Sequence, residues 1–260
     1  MPPLLCVQNL AVRYGDAPAV EGVSFELNEG EILGIVGESG SGKSTILRAV
    51  AGLIGEPGEI SRGDIRYRGE RLVGRPEGQL RRLRGPEIGM VFQDCKAALC
   101  PVRTVGAQIH EAMRAHRRIS RRESLAAAAK LMDKLGLGDP ERILSSYPFE
   151  LSGGMNQRVG ICMAMLLQPK LLLADEPTSA LDVTVQMQVV QELLAMRREY
   201  NTAMILVTHN IGLVRRMADR ILVLKDGRTV DCGACERVLN APADGYTKEL
   251  MDSALSLKRA

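Results

Sequence analysis

The segment Gly37-Glu38-Ser39-Gly40-Ser41-Gly42-Lys43-Ser44 fits the pattern G-x-x-x-x-G-K-[ST] and constrains this chain more than any other feature. Its glycines permit backbone turns that aim successive N–H groups at one anion. Residues 31–36 (EILGIV), just before it, form a short apolar run bounded by Gly30 and Gly37, which reads as a buried strand. Residues 44–53, just after it, read as a helix whose N-terminus adds its dipole to the same anion site. Lys43 is suited to neutralise β- and γ-phosphates, and the Ser44 hydroxyl to ligate Mg²⁺.

The rest of the chain repeats the alternation. Short apolar strands are expected at 89–92, 170–174, 203–207 and 220–224. From about 105 to 137 the pattern is helical: Leu125, Ala128, Leu131, Met132 and Leu135 recur at three-to-four spacing, and Gly136 and Pro140 end the run. Another helix carries Val185, Val189 and Leu193 on one face. Strands alternating with helices argue for a mostly parallel α/β sheet. With 260 residues, the chain makes one large domain or two small ones.

A second element matches the phosphate loop. Leu171-Leu172-Leu173-Ala174 is followed by Asp175-Glu176, which places two carboxylates at a strand's C-terminal end, where ligands bind in open α/β folds. Asp175 is suited to a Mg²⁺ shell and Glu176 to polarising an attacking water.

Composition removes several alternatives. A 45% hydrophobic content rules out intrinsic disorder. A net charge of +3 gives no strong nucleic-acid footprint, and 3% aromatics with no Trp argue against a base-stacking surface. Six cysteines spread along the chain imply no disulfide-dense scaffold. No apolar run reaches the roughly 18 residues a membrane span needs, and no secretory signal is visible, so the cytoplasm is the expected compartment.

Between the two elements stands Leu151-Ser152-Gly153-Gly154-Met155-Asn156-Gln157, and after the carboxylates come Ser179-Ala180-Leu181-Asp182 and Thr208-His209. In this order and spacing the chain resembles the ATP-binding subunit of an ABC transporter. The resemblance implies an α/β fold of the P-loop NTPase class: a RecA-like core with an antiparallel β-subdomain (about 1–30 and 59–75) and an inserted α-helical subdomain. Core and β-subdomain would occupy 1–93 and 155–240, the helical insert about 94–154, and a short C-terminal extension 241–260. It also implies ATP and Mg²⁺ as cofactors. Tyr14 would stack on adenine. Gly37, Ser39, Gly40, Ser41, Gly42, Lys43, Ser44 and Thr45 would hold the nucleotide, and Ser44, Gln93 and Asp175 the metal. Glu176, His209 and Gln93 would act in hydrolysis. Ser152, Gly153 and Gly154 would bind the γ-phosphate held by an opposite subunit, with Asp182 across the same interface.

The segments QDCKAALCPVRTV (93–105), YPFE (147–150), ADEPTSALD (174–182) and NAP…GYT (240–247) resemble peptide and nickel importers. That implies a second ABC ATPase subunit, hetero- or homodimeric, two membrane permeases and an extracytoplasmic binding protein, with this chain peripheral at the cytoplasmic face of the cell membrane and no nucleic-acid partner. An accessory ATPase of a carbon–phosphorus lyase complex is the alternative within the family, and a DNA-repair or translation ATPase a third class. Cys95 replaces the usual Pro, Cys100 the usual Asn and Asn210 the usual Asp. His110 and His116 carry no motif and read as surface or packing residues. Cys232-Gly233-Ala234-Cys235 is half a zinc site without a partner pair, and reads as small residues at a strand end. Short basic runs (Arg81, Arg82, Arg84; Arg117, Arg118, Arg121, Arg122) read as solvated helix faces or as contacts to anionic headgroups.

Overall fold

The computed structural model describes residues 2–179 and 181–256, with side chains as far as residue 252. In chain order the elements are β1 (Leu5–Tyr14), β2 (Ala17–Leu27), β3 (Ile32–Val36), α1 (Lys43–Val50), β4 (Gly58–Tyr67), β5 (Glu70–Arg71) and α2 (Glu77–Leu83). Next come β6 (Ile88–Val91), α3 (Cys95–Ala98), α4 (Val105–Arg114), α5 (Arg121–Lys134), α6 (Pro140–Ser145), a 3₁₀ turn (Pro148–Glu150), α7 (Gly153–Met165), β7 (Leu171–Asp175) and α8 (Val183–Tyr200). The chain ends with β8 (Ala203–Val207), α9 (Ile211–Met217), β9 (Arg220–Lys225), β10 (Arg228–Ala234), α10 (Cys235–Asn240) and α11 (Gly245–Ser256). These elements fall into two compact units, one formed by the described residues up to Arg81 and from Ala203 on, the other by residues 82–202.

The first unit holds two sheets. One is antiparallel, in the order β2-β1-β4-β5, with Leu5 opposite both Leu27 and Tyr67. The other runs β10-β9-β3-β8. In it β3 lies parallel to both β8 and β9, and β10 closes a hairpin onto β9. Every residue of β3 and β8 is buried, as apolar runs without alternation require of strands covered on both faces. Helix α9 covers one face of β3 so closely that a Cβ on Gly34 would lie 2.7 Å from Val214 Cγ1 and 3.3 Å from Ala218 Cβ. The glycine inside this strand therefore marks a close approach.

In the second unit β6 and β7 pair in parallel, with Ile88 opposite Leu171 and Val91 opposite Ala174. The helical stretch expected over 105–137 is two helices. Ser120 interrupts it and starts α5 through a capping box: its hydroxyl accepts from the Glu123 N–H while the Glu123 carboxylate accepts from the Ser120 N–H at 2.9 Å. Ala128 and Met132 then form the buried stripe of α5. Among the described residues, no helix is long and apolar enough to cross a membrane.

Replacing Gly34 with Ala should overpack the α9–β3 contact and cost about 1–3 kcal/mol. Chemical denaturation would read this as a lowered midpoint at unchanged slope.

Candidate functional site

The loop between β3 and α1 is built from backbone. Gly37 (φ 154°) lies against the Leu224 carbonyl, where a side chain would overlap that oxygen and press on Ser41 Oγ. Gly42 (φ 98°) is the left-handed N-cap of α1, and a Cβ there would overlap the Ala19 carbonyl. Any larger residue at either place would open the loop. Helix α1 has no side-chain cap and no acidic residue in its first turn, so its positive end is not offset from within.

Lys43 follows at once. Its ammonium is buried, which requires partners. It donates to the Gly37 carbonyl at 2.9 Å and to the Glu38 carbonyl at 2.5 Å, with Ser41 Oγ at 3.4 Å. Ser39 and Gly40 are exposed on the loop, and Ser44 and Thr45 are half-buried in the first turn of α1. Glycine conformations, a held ammonium and a helix N-terminus with no side-chain cap together fit an anion with several oxygens.

The same unit carries two further residues named from the sequence. Tyr14 ends β1, half-buried, with its ring over Gly58, where a Cβ would stand 2.6 Å from Tyr14 Cε1. His209 is exposed between β8 and α9. Next to it, Asn210 caps α9 by accepting from the Leu213 N–H at 3.2 Å. Asparagine caps a helix as well as the usual aspartate does, so this departure keeps the local structure.

The second unit holds the remaining residues. Gln93 is exposed after β6, and Asp94 caps α3 through the Ala97 N–H at 2.9 Å. Ser152 caps α7 by accepting from the Met155 N–H at 3.3 Å. Gly153 has open space around it, so α7 starts as bare backbone facing outward. Asp182 caps α8 through the Val185 N–H at 3.0 Å. Asp175 is buried at the end of β7, and Glu176 follows with φ 49°.

A left-handed glutamate is uncommon and persists only where its surroundings hold it. Here the Glu176 carbonyl accepts from Gln157 Nε2 at 2.9 Å, from the Ser179 N–H at 3.2 Å and from Ser179 Oγ at 3.1 Å. Gln157 was quoted in the sequence pattern but given no role there. Its place as the sixth residue after Leu151 puts it on the buried side of α7, where it ties that helix to the glutamate's peptide.

The ABC transporter family profile matches residues 20–179. The chain is 42% identical over 257 residues to the oligopeptide transport ATP-binding protein OppD of Haemophilus influenzae, covering 97% of this chain and 79% of the relative. It is 42% identical over 252 residues to the dipeptide transport ATP-binding protein DppD of Escherichia coli, covering 95% and 77%. It is 40% identical over 252 residues to the metal-staphylopine import system ATP-binding protein CntD of Staphylococcus aureus, covering 96% and 93%. Among solved structures, the dimeric post-hydrolysis state of the ATP-binding cassette MJ0796 bound to ADP and Pi matches with a TM-score of 0.81 and 29% identity, over 89% of this chain and 98% of that one. The α/β architecture is thus that of the ATP-binding cassettes.

Cys95, Cys162 and Cys235 are buried free thiols. Cys95 packs on Gly160 of α7, where a side chain would overlap its sulfur, so the residue standing in place of proline fills a fitted gap. Burial, with the Asp94 carboxylate adding to it, pushes the Cys95 thiol up to about 11. Burial alone pushes Cys162 to about 12. Cys235 starts α10 inside an apolar cluster with Val36, Val214 and Val223. Among the described residues, no group of three or more His, Cys, Asp or Glu is placed to hold a metal ion. At pH 8, about one Cys95 in a thousand and one Cys162 in ten thousand would be thiolate. Maleimide labelling read by mass should therefore modify the exposed Cys100 at least about tenfold faster than either.

Proposed function

The chain belongs to the ABC transporter family, and on that premise we propose that it is the ATP-hydrolysing subunit of an importer that energises uptake of peptides or of nickel and other metal chelates through membrane permeases. The observation that carries this reading is the glycine loop, with Lys43 buried against its carbonyls and α1 starting behind it without a side-chain cap. The relatives' transport of oligopeptides, dipeptides and metal-staphylopine supports the cargo class.

In the proposed reaction, the loop amides and the Lys43 ammonium hold the β- and γ-phosphates. Glu176 accepts a proton as a water oxygen bonds to the γ-phosphorus, and the bond to the ADP oxygen breaks. The αL backbone held by Gln157 and Ser179 presets the direction of that carboxylate. His209 and Gln93 position the water and the γ-phosphate. Mg²⁺, held by Ser44, Gln93 and Asp175, would neutralise phosphate charge. Tyr14 would cover the adenine.

The start of α7, capped by Ser152 and with open space beside Gly153, suits a phosphate brought by a second ATPase subunit, which Ser152, Gly153 and Gly154 would bind. Asp182 would meet the same subunit. ATP then bridges two subunits, and hydrolysis removes the bridge. The proposed assembly comprises a second cassette, identical or different, two permeases and an extracytoplasmic binding protein, with this chain peripheral on the cytoplasmic face of the membrane.

Two substitutions test the assignment. Glu176→Gln should keep ATP binding, lower turnover by about a hundredfold or more, and accumulate an ATP-bound dimer on size exclusion. Wild-type turnover in that variant would refute the base. Lys43→Ala should lose measurable Mg-ATP binding in calorimetry, and an unchanged affinity would remove the phosphate-loop argument.

A further inference from the structure

The C-terminal GYT sequence has no part in the reaction above, yet its tyrosine reaches the phosphate loop. Tyr246 lies near the start of α11, 9% exposed, packed in a cluster with Val36, Val223, Val238 and Met251. Its phenol oxygen accepts a hydrogen bond from the Glu38 N–H at 3.1 Å. The Lys225 ammonium stands 4.6 Å from the ring centroid, close enough for a cation–π contact.

The bond falls on a particular peptide. Glu38 N–H and Gly37 C=O belong to the same planar unit, and the Gly37 carbonyl accepts from Lys43 Nζ at 2.9 Å. One rigid plane is therefore held at both ends, by the phenol on one side and by the phosphate-binding ammonium on the other. Chained hydrogen bonds of this kind polarise one another. The β9–β10 turn steadies the loop from the same direction, since the Gly227 N–H donates to the Ser41 carbonyl at 3.2 Å. Burial, outweighing the Glu38 N–H bond and reinforced by the Glu38 and Asp226 carboxylates, raises the pKa of Tyr246, so the phenol is neutral at physiological pH.

We propose that Tyr246 is a positioning residue for the nucleotide: through the Gly37–Glu38 peptide it sets the loop and Lys43, and so couples the docking of α11 to ATP binding. This rests on the ATP-binding reading above. Coupling is reciprocal, so nucleotide should in turn tighten α11 on the first unit.

The test is Tyr246→Phe in the full chain, which keeps the ring, its packing and the Lys225 contact and removes the phenol oxygen, with its bond from the Glu38 N–H and its contact to the Glu38 side chain. Mg-ATP affinity should weaken about three- to tenfold, the size of one hydrogen bond, with KM for ATP rising likewise and kcat within about twofold. Amide exchange followed by mass spectrometry should slow across residues 245–252 when ATP is added to the wild type, and this slowing should shrink in the variant. If the wild type binds ATP while the variant matches it in affinity, KM and ATP-dependent protection of α11, the inference is overturned and the ATP-binding reading stands. A weaker affinity with unaltered α11 protection overturns the coupling. Failure of the wild type to bind ATP overturns both.

Discussion

A buried ammonium organises the first unit. Lys43 cannot lie 8% exposed without acceptors, and the nearest are the carbonyls of its own loop. Those carbonyls turn inward only because Gly37 and Gly42 take up conformations that leave no room for a Cβ beside Leu224 and Ala19. The constraint then spreads outward. Strand β3 must deliver Gly37 under the β9 backbone, and the β9–β10 turn and α11 must close on the loop from behind. In the proposed reaction a phosphate would take a lysine already held by carbonyls, exchanging one set of partners for another instead of ordering a free side chain.

The second unit relies on helix ends and on a left-handed glutamate. Asp94, Ser152 and Asp182 each start a helix with a side-chain cap, and each belongs to a motif segment. Caps are local and rigid, so they fix where the backbone N–H groups of α7 and the exposed turn before α8 sit. Glu176 is different. Its left-handed backbone is held by donors from α7 and from the turn that follows, so α7 and the Glu176 peptide form one hydrogen-bonded unit. Movement of α7 would be felt at Glu176 through Gln157.

The departures from the family pattern find physical accommodation. Cys95 is matched by Gly160, and Asn210 caps as an aspartate would. Around Cys100, the Gln108 side chain satisfies both the backbone N–H at 2.8 Å and the carbonyl at 3.0 Å, so the sulfur itself faces outward. Nearby in sequence, Phe92, Val102, Tyr147 and Phe149 are exposed, with Tyr147 and Phe149 stacked at 5.5 Å.

The parallel strands β3, β6, β7, β8 and β9 and the glycine and carboxylate motifs beside them were legible in the sequence because each is a local pattern, whereas the antiparallel sheet was expected only from the family resemblance. Apolar run, glycine spacing and cap residue act within a few positions of one another. The break at 115–120 was less legible, since a capping box at Ser120 sits inside an otherwise continuous helical period. The role of Gln157, the fit of Cys95 to Gly160 and the bond from Glu38 to Tyr246 could not be read there at all. They join residues 19, 65 and 208 positions apart, and only the folded chain brings such partners to contact distance. The sequence by itself determined the glycine-rich loop and the carboxylate pair as local motifs at strand ends. The tertiary structure decided what holds them in place, because those supports are long-range contacts whose geometry no local pattern encodes.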